Sequence, residues 1–438
     1  MKNPLLFAVP VFFLCSVFAV YGGGKSASSA GKDTTISVFS TWSPTDSNIG
    51  AVTANRILAK FKAAHPEARL VEEVVAHDLY EDKLKVYIAT DALPDVFQAL
   101  PGLMPALYAD KQILDLKPLI EADKEWNGRM LEGAFADFTF NDRYLGLPGS
   151  MLVSSMIVYN KAIFAKAGIN EFPKTLEDFE KAVTAIKRAG FIPVACGNKA
   201  GYMITSQVFP SIMWRYVDTS WYQSLKDGRG AKFTDSPMVQ AITELKKLID
   251  MGMFNDDLNS SEELLANGYY YSGKAAMLIG GYWIVPNVDA NAIPDVLANS
   301  EVAMLPPLAS KPEYGRYMSG GQGWGTVFST KLTGKRLELA MDLAKGFSDP
   351  AIQAELATGG AIPCAKAAPY DTSGMSALKK KMYAMFENYD LVPNTEIQFN
   401  AAYVSAAEKA YQELSLGLIT PAELAAKIQA AYIEGQKN

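Results

Sequence analysis

Short apolar runs alternate with longer amphipathic segments in the first part of the chain, and this alternation constrains the fold most. Residues 36–39, 70–75 and 95–98 have the length and composition of strands, while residues 49–64 and 79–89 between them have helical spacing. Strands joined through helices pair in parallel, because a parallel pair needs a crossover connection. The order strand, helix, strand, helix, strand therefore predicts an α/β fold with right-handed crossovers.

The pattern is interrupted at residues 146–149, Gly-Leu-Pro-Gly, and then resumes with an apolar strand over 151–159 and a helix starting at 160. A chain of 438 residues is too long for one ordinary core, since a domain holds on the order of 150 residues. We therefore predict two lobes with a boundary near this break. A second apolar run, 275–279, is bounded by glycines and predicts a buried strand that ends just before Trp283.

The amino terminus predicts export. Residues 5–20 are almost wholly apolar behind Lys2, so we assign 1–20 to a signal peptide and the glycine- and serine-rich residues 21–33 to a flexible tether. Cys15 lies among bulky neighbours that fit a lipidation site poorly, which leaves membrane tethering open. No later run reaches the roughly 18 apolar residues that a membrane helix needs. We expect a soluble mature chain in the periplasm or outside the cell.

Charge and the reactive side chains exclude several functions. The net charge is −6, from 41 basic and 47 acidic residues without a basic block, which disfavours nucleic-acid binding. His65 and His77 lie twelve residues apart without nearby cysteine, so surface or capping roles are expected. Cys196 and Cys364 could form one disulfide or remain two separate buried thiols. We predict no metal site and no cofactor.

Motifs for catalysis are weak. Residues 24–26, Gly-Lys-Ser, resemble the end of a phosphate loop, but Ala19 stands where that motif needs a glycine. No Gly-x-Ser-x-Gly elbow is present, and no pair of carboxylates is singled out for glycoside hydrolysis. We therefore predict a protein that is not an enzyme and assign no catalytic residue.

Polar and aromatic residues recur where predicted strands end, and they suit a sugar. Carboxylates and amides bond to the hydroxyls at the edge of a sugar ring, while indoles cover the C–H groups on its face. Structural alternatives remain open: a helix cap or turn residue for the aspartates, a satisfied amide for the glutamine and core positions for the tryptophans. The candidates are Trp42, Asp46, Asp95, Gln98, Trp283 and Trp324.

The glycine-rich segment 319–325, Ser-Gly-Gly-Gln-Gly-Trp-Gly, is expected to bring backbone amides close to a ligand or to form a tight structural turn. Its spacing and the strand that follows it do not fit a dinucleotide fingerprint. We add Ser319, Gly320 and Gly321 to the candidate ligand-binding residues, together with Ser150 and Trp214.

Several ordered motifs, taken together, resemble a known family. The chain is similar to the extracellular solute-binding proteins of ABC transporters, in the sugar-binding family that includes maltose-binding protein. The matching pieces run in family order over nearly all of the mature chain: Leu-Pro-Asp-Val at 93–96, Gly-Leu-Pro at 146–148, Val-Tyr-Asn-Lys at 158–161, Ala-Gly-Ile at 167–169, Pro-Lys-Thr-Leu at 173–176, Gly-Lys-Ala-Ala-Met at 273–277 and Ser-Gly-Gly at 319–321.

The resemblance implies two lobes, each a mostly parallel sheet flanked by helices, joined by a hinge of several strands. It assigns 34–147 and 307–360 to the first lobe, and 148–306 and 361–438 to the second. In this family Trp283 matches an indole that stacks on a sugar ring, so the two lobes would hold a sugar or oligosaccharide for ABC transporter permease subunits. We expect a monomer. A binding protein for a glycerol phosphodiester or a peptide, or an exported glycoside hydrolase, remains an alternative.

Overall fold

The computed structural model describes residues 34–46, 48–131 and 133–436. The predicted signal peptide (1–20) and tether (21–33) lie outside this part of the chain. The strands are β1 (Thr35–Ser40), β2 (Arg69–Val74), β3 (Val96–Ala99), β4 (Thr139–Phe140), β5 (Arg143–Tyr144), β6 (Leu147–Pro148), β7 (Ser150–Val153), β8 (Met156–Asn160), β9 (Ile192–Ala195), β10 (Ala275–Gly280), β11 (Ser300–Met304), β12 (Tyr317–Gln322), β13 (Gly325–Phe328), β14 (Ile362–Pro363) and β15 (Asp390–Pro393).

Helices connect and cover these strands. They are α1 (Ile49–Ala64), α2 (His77–Ala89), α3 (Met104–Ala109), α4 (Lys117–Ala122), α5 (Lys124–Arg129), α6 (Lys161–Lys166), α7 (Leu176–Arg188), α8 (Phe209–Met213), α9 (Thr219–Lys226), α10 (Ser236–Asp250), α11 (Glu263–Tyr271), α12 (Ile284–Asn291), α13 (Pro294–Ala298), α14 (Gly334–Gly346), α15 (Pro350–Gly359), α16 (Ala377–Phe386), α17 (Thr395–Gln398), α18 (Ala401–Ser415) and α19 (Pro421–Gly435). A short π-helical turn, Met203–Val208, precedes α8.

The first lobe is built on a sheet with the strand order β2-β1-β3-β13-β6. Strands β2 and β3 both pair in parallel with β1, as the alternating pattern predicts, and α1 and α2 are the crossovers. The apolar face of α1 packs into this lobe through Ile57, Leu58 and Phe61. Strand β13 runs antiparallel to β3 and β6, so the sheet is mixed.

The second lobe is built on a sheet with the order β11-β8-β10-β9. All six residues of β10 are buried, which confirms the strand predicted over 275–279. Strand β8 is antiparallel to both β10 and β11, and only β9 is parallel to β10, so neither lobe has the mostly parallel sheet that the resemblance implies. Helix α7 contributes Leu176, Phe179, Val183 and Ile186 to the core of this lobe.

A third sheet, β14-β7-β12-β15, links the lobes. Strand β7 follows β6 of the first lobe and leads into β8 of the second, and β12 leads into β13. The strand predicted over 151–159 is wrong in one respect, because the chain turns at Ser155, where φ is 64°, and divides the run into β7 and β8. The turn passes the chain from the linking sheet into the second lobe.

Cys196 and Cys364 are buried free thiols, so they form no disulfide with each other. Burial raises the pKa of each thiol, which keeps both neutral. None of the helices in the described ranges is long and apolar enough to cross a membrane.

Candidate ligand-binding cleft

Trp283 lies just after β10, at the start of α12, and its indole is partly exposed. The indole Nε1 donates a hydrogen bond to Oε1 of Glu263 at 3.1 Å, and the ring meets Tyr282 edge-on at 5.8 Å. Gly281 makes room for it, because a Cβ at that position would lie 1.9 Å from Cζ3 of Trp283. The glycine before the aromatic pair is therefore needed to seat the indole.

Trp324 lies between β12 and β13 and lines the first lobe. Its ring meets Tyr80 edge-on at 5.3 Å and His77 at 5.8 Å. The Tyr80 hydroxyl donates to the carbonyls of Phe39 and Gln98, which fixes this wall to the carboxyl ends of β1 and β3. Trp324 is thus held by first-lobe residues while part of its surface remains exposed.

A continuous line of contacts crosses from one lobe to the other. The ring of His77, on α2 of the first lobe, lies 5.0 Å from the ring of Tyr202 in the second. The Tyr202 hydroxyl donates to Oε2 of Glu263, whose other oxygen accepts from Trp283. We call the five residues of this line the aromatic bridge: Trp324, His77, Tyr202, Glu263 and Trp283.

Charge gathers around the bridge. Partial burial lowers the pKa of His77, but the hydrogen bond to Asp78 and the charge of Glu263 outweigh that effect, and the pKa is raised. Burial raises the pKa of Glu81, on the next turn of α2. Burial also raises the pKa of Glu408, on α18 of the second lobe, to about 8, with the charge of Glu81 adding to the shift. The walls beside the bridge are therefore acidic.

Sequence reasoning missed three members of the bridge. His77 lies on the surface as expected, with its side chain 45% exposed, but it also follows the carboxyl end of β2 and meets the other lobe, which the sequence did not predict. The strand-end rule that selected Trp42 could have selected it. Tyr202 and Glu263 follow no predicted strand, and no local signal marks them, because their position depends on how the lobes meet.

The structure buries Trp42 and leaves Asp46 on the surface, and neither contacts the aromatic bridge, so a ligand-binding role after β1 stays a prediction. Only 7% of Trp42 is exposed, and its indole packs on Phe347 at 5.5 Å between ring centroids. Asp46 accepts a hydrogen bond from the amide of Asn48 at 2.8 Å, just ahead of α1. Asp46 therefore forms a local turn ahead of the helix, while the N-cap of α1 is Asn48 and not Asp46.

Asp95 has a structural role and does not face the bridge. It precedes β3, and its carboxylate accepts hydrogen bonds from Ser37 and forms an ion pair with Arg336. Gln98 lies within β3 toward its carboxyl end, and its Oε1 accepts from the amide of Thr41 at 2.7 Å. Asp95 thus lies at the amino end of its strand, as the strand predicted over 95–98 places it, and its ligand-binding role stays a prediction.

Trp214 is a core residue of the second lobe. It is 1% exposed, and its Nε1 donates to the carbonyl of Pro393 at 3.0 Å. Its ring packs against Tyr222 and Tyr317. These contacts give Trp214 a packing role in this structure, and its ligand-binding role stays a prediction.

The first part of the glycine-rich segment, residues 319–322, lies in strand β12 of the linking sheet, and only Trp324 of this segment joins the aromatic bridge. Ser319 and Gly320 are buried within β12, and a Cβ at Gly320 would lie 2.3 Å from the carbonyl oxygen of Leu152 on β7. Gly321 has φ of 144° and faces the carboxylate of Asp137. Gly320 therefore allows close approach of the protein's own chain within a strand and not in the tight turn that was the structural alternative.

Ser150 is the first residue of β7, a strand of the linking sheet. Its hydroxyl is 3.3 Å from the hydroxyl of Tyr282, the neighbour of Trp283. Of the candidates predicted from sequence, Trp283 and Trp324 therefore belong to the bridge. Ser150 contacts Tyr282, which in turn contacts Trp283 of the bridge.

Two surface cavities lie elsewhere. One, of about 260 Å³, is lined by first-lobe residues that include Asp110 and Lys331, and the other, of about 480 Å³, lies beside Phe191 and Phe254. Neither includes a member of the bridge or draws on both lobes. No group of three histidine, cysteine, aspartate or glutamate side chains within the described ranges could hold a metal ion.

Two α/β lobes joined by several strands, with aromatic and acidic side chains meeting between them, define a two-lobed ligand-binding protein. Residues 56–385 match the model of the bacterial extracellular solute-binding protein family. The chain belongs to that family, and the resemblance carried by its ordered motifs is confirmed.

Individual relatives are more distant. The diacetylchitobiose binding protein DasA of Streptomyces coelicolor is 29% identical over 188 residues, which cover 41% of this chain and 41% of the relative. The maltodextrin-binding protein MdxE of Bacillus subtilis is 26% identical over 266 residues, which cover 58% of each chain. The chain thus spans about half the length of the curated relatives it matches.

Solved structures share the fold over almost the whole chain. A chitin oligosaccharide binding protein superposes with a TM-score of 0.83 at 22% identity, covering 93% of this chain and 100% of the other. The two-lobed α/β fold predicted from the sequence is confirmed.

Proposed function

We propose that this protein captures a sugar or oligosaccharide between its lobes and delivers it to the permease of an ABC transporter. The aromatic bridge carries the proposal, because rings from both lobes meet a hydrogen-bonding carboxylate there. The similar proteins bind diacetylchitobiose, maltodextrin and chitin oligosaccharide, which supports a saccharide over other solutes.

A sugar matches the chemistry of the bridge. The indoles of Trp283 and Trp324 offer apolar faces to the C–H groups of a ring, and Glu263 can accept hydrogen bonds from hydroxyls. A ligand that bridges both walls binds the closed arrangement better than an open one, so it shifts the equilibrium toward closure. A micromolar dissociation constant needs about 8 kcal/mol, which several hydrogen bonds and one or two stacked rings can supply.

The division of the chain follows the sheets. We propose first-lobe segments 34–147 and 307–360 and second-lobe segments 148–306 and 361–438. Strands β1 to β3 and β13 share one sheet, β8 to β11 share another, and the C-terminal pair α18 and α19 packs in the core of the second. The β7, β12, β14 and β15 segments of the linking sheet would form the hinge.

We also propose where the protein acts and what it contacts. The family is extracellular, which supports export to the periplasm or the cell exterior, with or without a membrane tether. We propose a monomer that binds its ligand without covalent chemistry and releases it to permease subunits. Glu263 would then hold a sugar hydroxyl and would not act as a catalytic acid.

A thermal-shift screen against neutral mono- and oligosaccharides tests the proposal. A saccharide at 100 times its dissociation constant should add about 2.7 kcal/mol to the free energy of unfolding. Stabilisation by a glycerol phosphodiester or a peptide, and by no saccharide, would overturn the sugar assignment. New reducing ends after incubation with oligosaccharides would instead identify a glycoside hydrolase.

A further inference from the structure

Two groups of charged side chains meet at the mouth of the cleft, beside the His77–Tyr202 contact. Helix α2 of the first lobe contributes Asp78, Glu81, Asp82 and Lys85, and the second lobe contributes Lys199, Glu262, Glu263 and Glu408. Gly201, adjacent to Tyr202, packs against Glu408, since a Cβ there would lie 2.7 Å from Cβ of Glu408. Glu408 is thus held at the same edge as the ring contact between the lobes.

The lysines of this mouth pair within their own lobes. Lys85 Nζ lies 3.3 Å from Oδ1 of Asp82 on α2, and Lys199 Nζ lies 2.9 Å from Oε1 of Glu262 in the second lobe. Neither ion pair has to change when the lobes part. The carboxyls that remain are Asp78 and Glu81 on one side and Glu263 and Glu408 on the other, around the single imidazole of His77.

We propose that closing the lobes takes up protons at this mouth, so that the closed, ligand-holding form is favoured at low pH and weakened at high pH. The proposal rests on the proposed function, because it describes the regulation of the same cleft. The proton-accepting groups are Glu408 facing Glu81, and His77 facing Glu263.

Both pairs, Glu408 with Glu81 and His77 with Glu263, make closure weaker as pH rises. Burial of Glu408, and after it the charge of Glu81 on the opposite lobe, favours the protonated form of Glu408, and the contribution of Glu81 requires the lobes to meet. Closure keeps its full strength below the ordinary pKa of a glutamate and weakens as pH rises toward about 8, the pKa that Glu408 has in this structure, where the two lobes touch at His77 and Tyr202. Protonated His77 is attracted to Glu263, and its raised pKa means that this attraction is also lost as pH rises.

The other facing charges do not oppose this direction. Lys199 lies near Asp78 across the cleft, and that attraction favours closure, but a lysine stays charged throughout the tested range. Lys85 and Asp82 also act on Glu408, with opposite signs and as an ion pair of one lobe. The net change between pH 5.5 and 9 therefore comes from the glutamates and the histidine.

Small-angle X-ray scattering of the ligand-free protein between pH 5.5 and 9 tests the proposal without any sugar. We expect the radius of gyration to rise with pH, and to rise less in Glu408→Gln and Glu81→Gln. Glu244→Gln is the matched control, because Glu244 is another buried carboxyl of the second lobe with a raised pKa, lying beside Glu180 and Tyr216 away from the bridge.

Affinity gives the second readout. Calorimetry with a neutral oligosaccharide should show about tenfold weaker binding at pH 9 than at pH 5.5, the change expected for one pKa unit of difference between open and closed forms. Titrations in buffers of different ionisation enthalpy should show net proton uptake. If no saccharide binds, the proposed function fails while the scattering still decides the proton coupling. A radius that is constant with pH, or a pH response lost only in Glu244→Gln, would overturn the inference.

Discussion

Two tryptophans of the second lobe share one type of contact but differ in position. Trp283 donates its Nε1 hydrogen to Glu263 on the bridge, and Trp221 donates to Asp235 at 3.3 Å away from it. Both side chains are partly exposed. The pair therefore separates the effect of losing an indole from the effect of losing the ligand platform.

We predict that Trp283→Ala weakens saccharide binding by roughly tenfold or more, since an aromatic face buried against a ligand is worth about 1.5–3 kcal/mol. The melting temperature should change little, because the indole is partly exposed. Calorimetric titration and thermal unfolding of Trp283→Ala and Trp221→Ala measure both effects. Equal losses of stability with unchanged affinity in the two variants would make Trp283 a structural residue.

Glu244 should set a pH dependence of stability. Burial, with the charge of Glu180 adding to it, raises the pKa of Glu244 to about 7. The folded state thus holds this proton more tightly than the unfolded state, and the stabilisation is lost as pH rises from the ordinary range toward 7. In Glu244→Gln an amide N–H replaces the O–H of the protonated carboxyl, and the side chain cannot become charged. The free energy of unfolding of this variant should therefore exceed that of the wild type by about 2 kcal/mol at pH 8.5.

Chemical denaturation at pH 5 and pH 8.5 checks this difference. Glu387→Gln, at an exposed carboxylate, serves as the control and should change little at either pH. A Glu244→Gln protein less stable than the wild type at pH 8.5 would show that the carboxylate is stabilising there.

The residue type alone did not distinguish a tryptophan that could bind a ligand from a tryptophan of the hydrophobic core. Trp42, Trp214 and Trp283 all lie in apolar or turn-rich surroundings, and only the folded chain shows that the first two are buried. Asp95 was selected for its closeness to a strand, but the sequence could not show that Arg336, 241 residues away, would pair with it. The missing information is long-range in each case.

At the scale of elements, local periodicity was enough where an element packs on one face. Helix α1 begins and ends where predicted, and β1, β2 and β3 lie within a residue of their predicted positions. Periodicity failed at the hinge, because the apolar run through β7 and β8 changes sheets at Ser155, and no local signal marks the point where a strand leaves one sheet for another.

Strand β12 allows a test of the hinge. Gly320→Ala would place its Cβ against the carbonyl oxygen of Leu152 at 2.3 Å. We expect a loss of more than about 2 kcal/mol in the free energy of unfolding, because backbone cannot give way as a flexible side chain can. Gly149→Ala is the control, since nothing lies within 4 Å of a Cβ at that position. Equal stability of the two variants would contradict the packing of β12 on β7.

For the whole molecule, the order of motifs was more informative than any single one. It predicted two lobes and a hinge, which the fold confirms, because the spacing of strands and helices is a property of the whole chain. The meeting of His77 with Tyr202 was not predictable, since it depends on the angle between lobes. Ligand binding and the proposed proton uptake would both change this angle between the lobes.

The most direct test of the account is small-angle X-ray scattering at pH 8.5 with a saccharide that binds by calorimetry. Capture between the lobes predicts that the radius of gyration falls as the ligand saturates the protein, because the closed form is the one that contacts the ligand from both sides. The radius should not fall when the same saccharide is added to Trp283→Ala at a concentration that leaves it unbound. A saturated wild-type protein with an unchanged radius would contradict capture in the cleft.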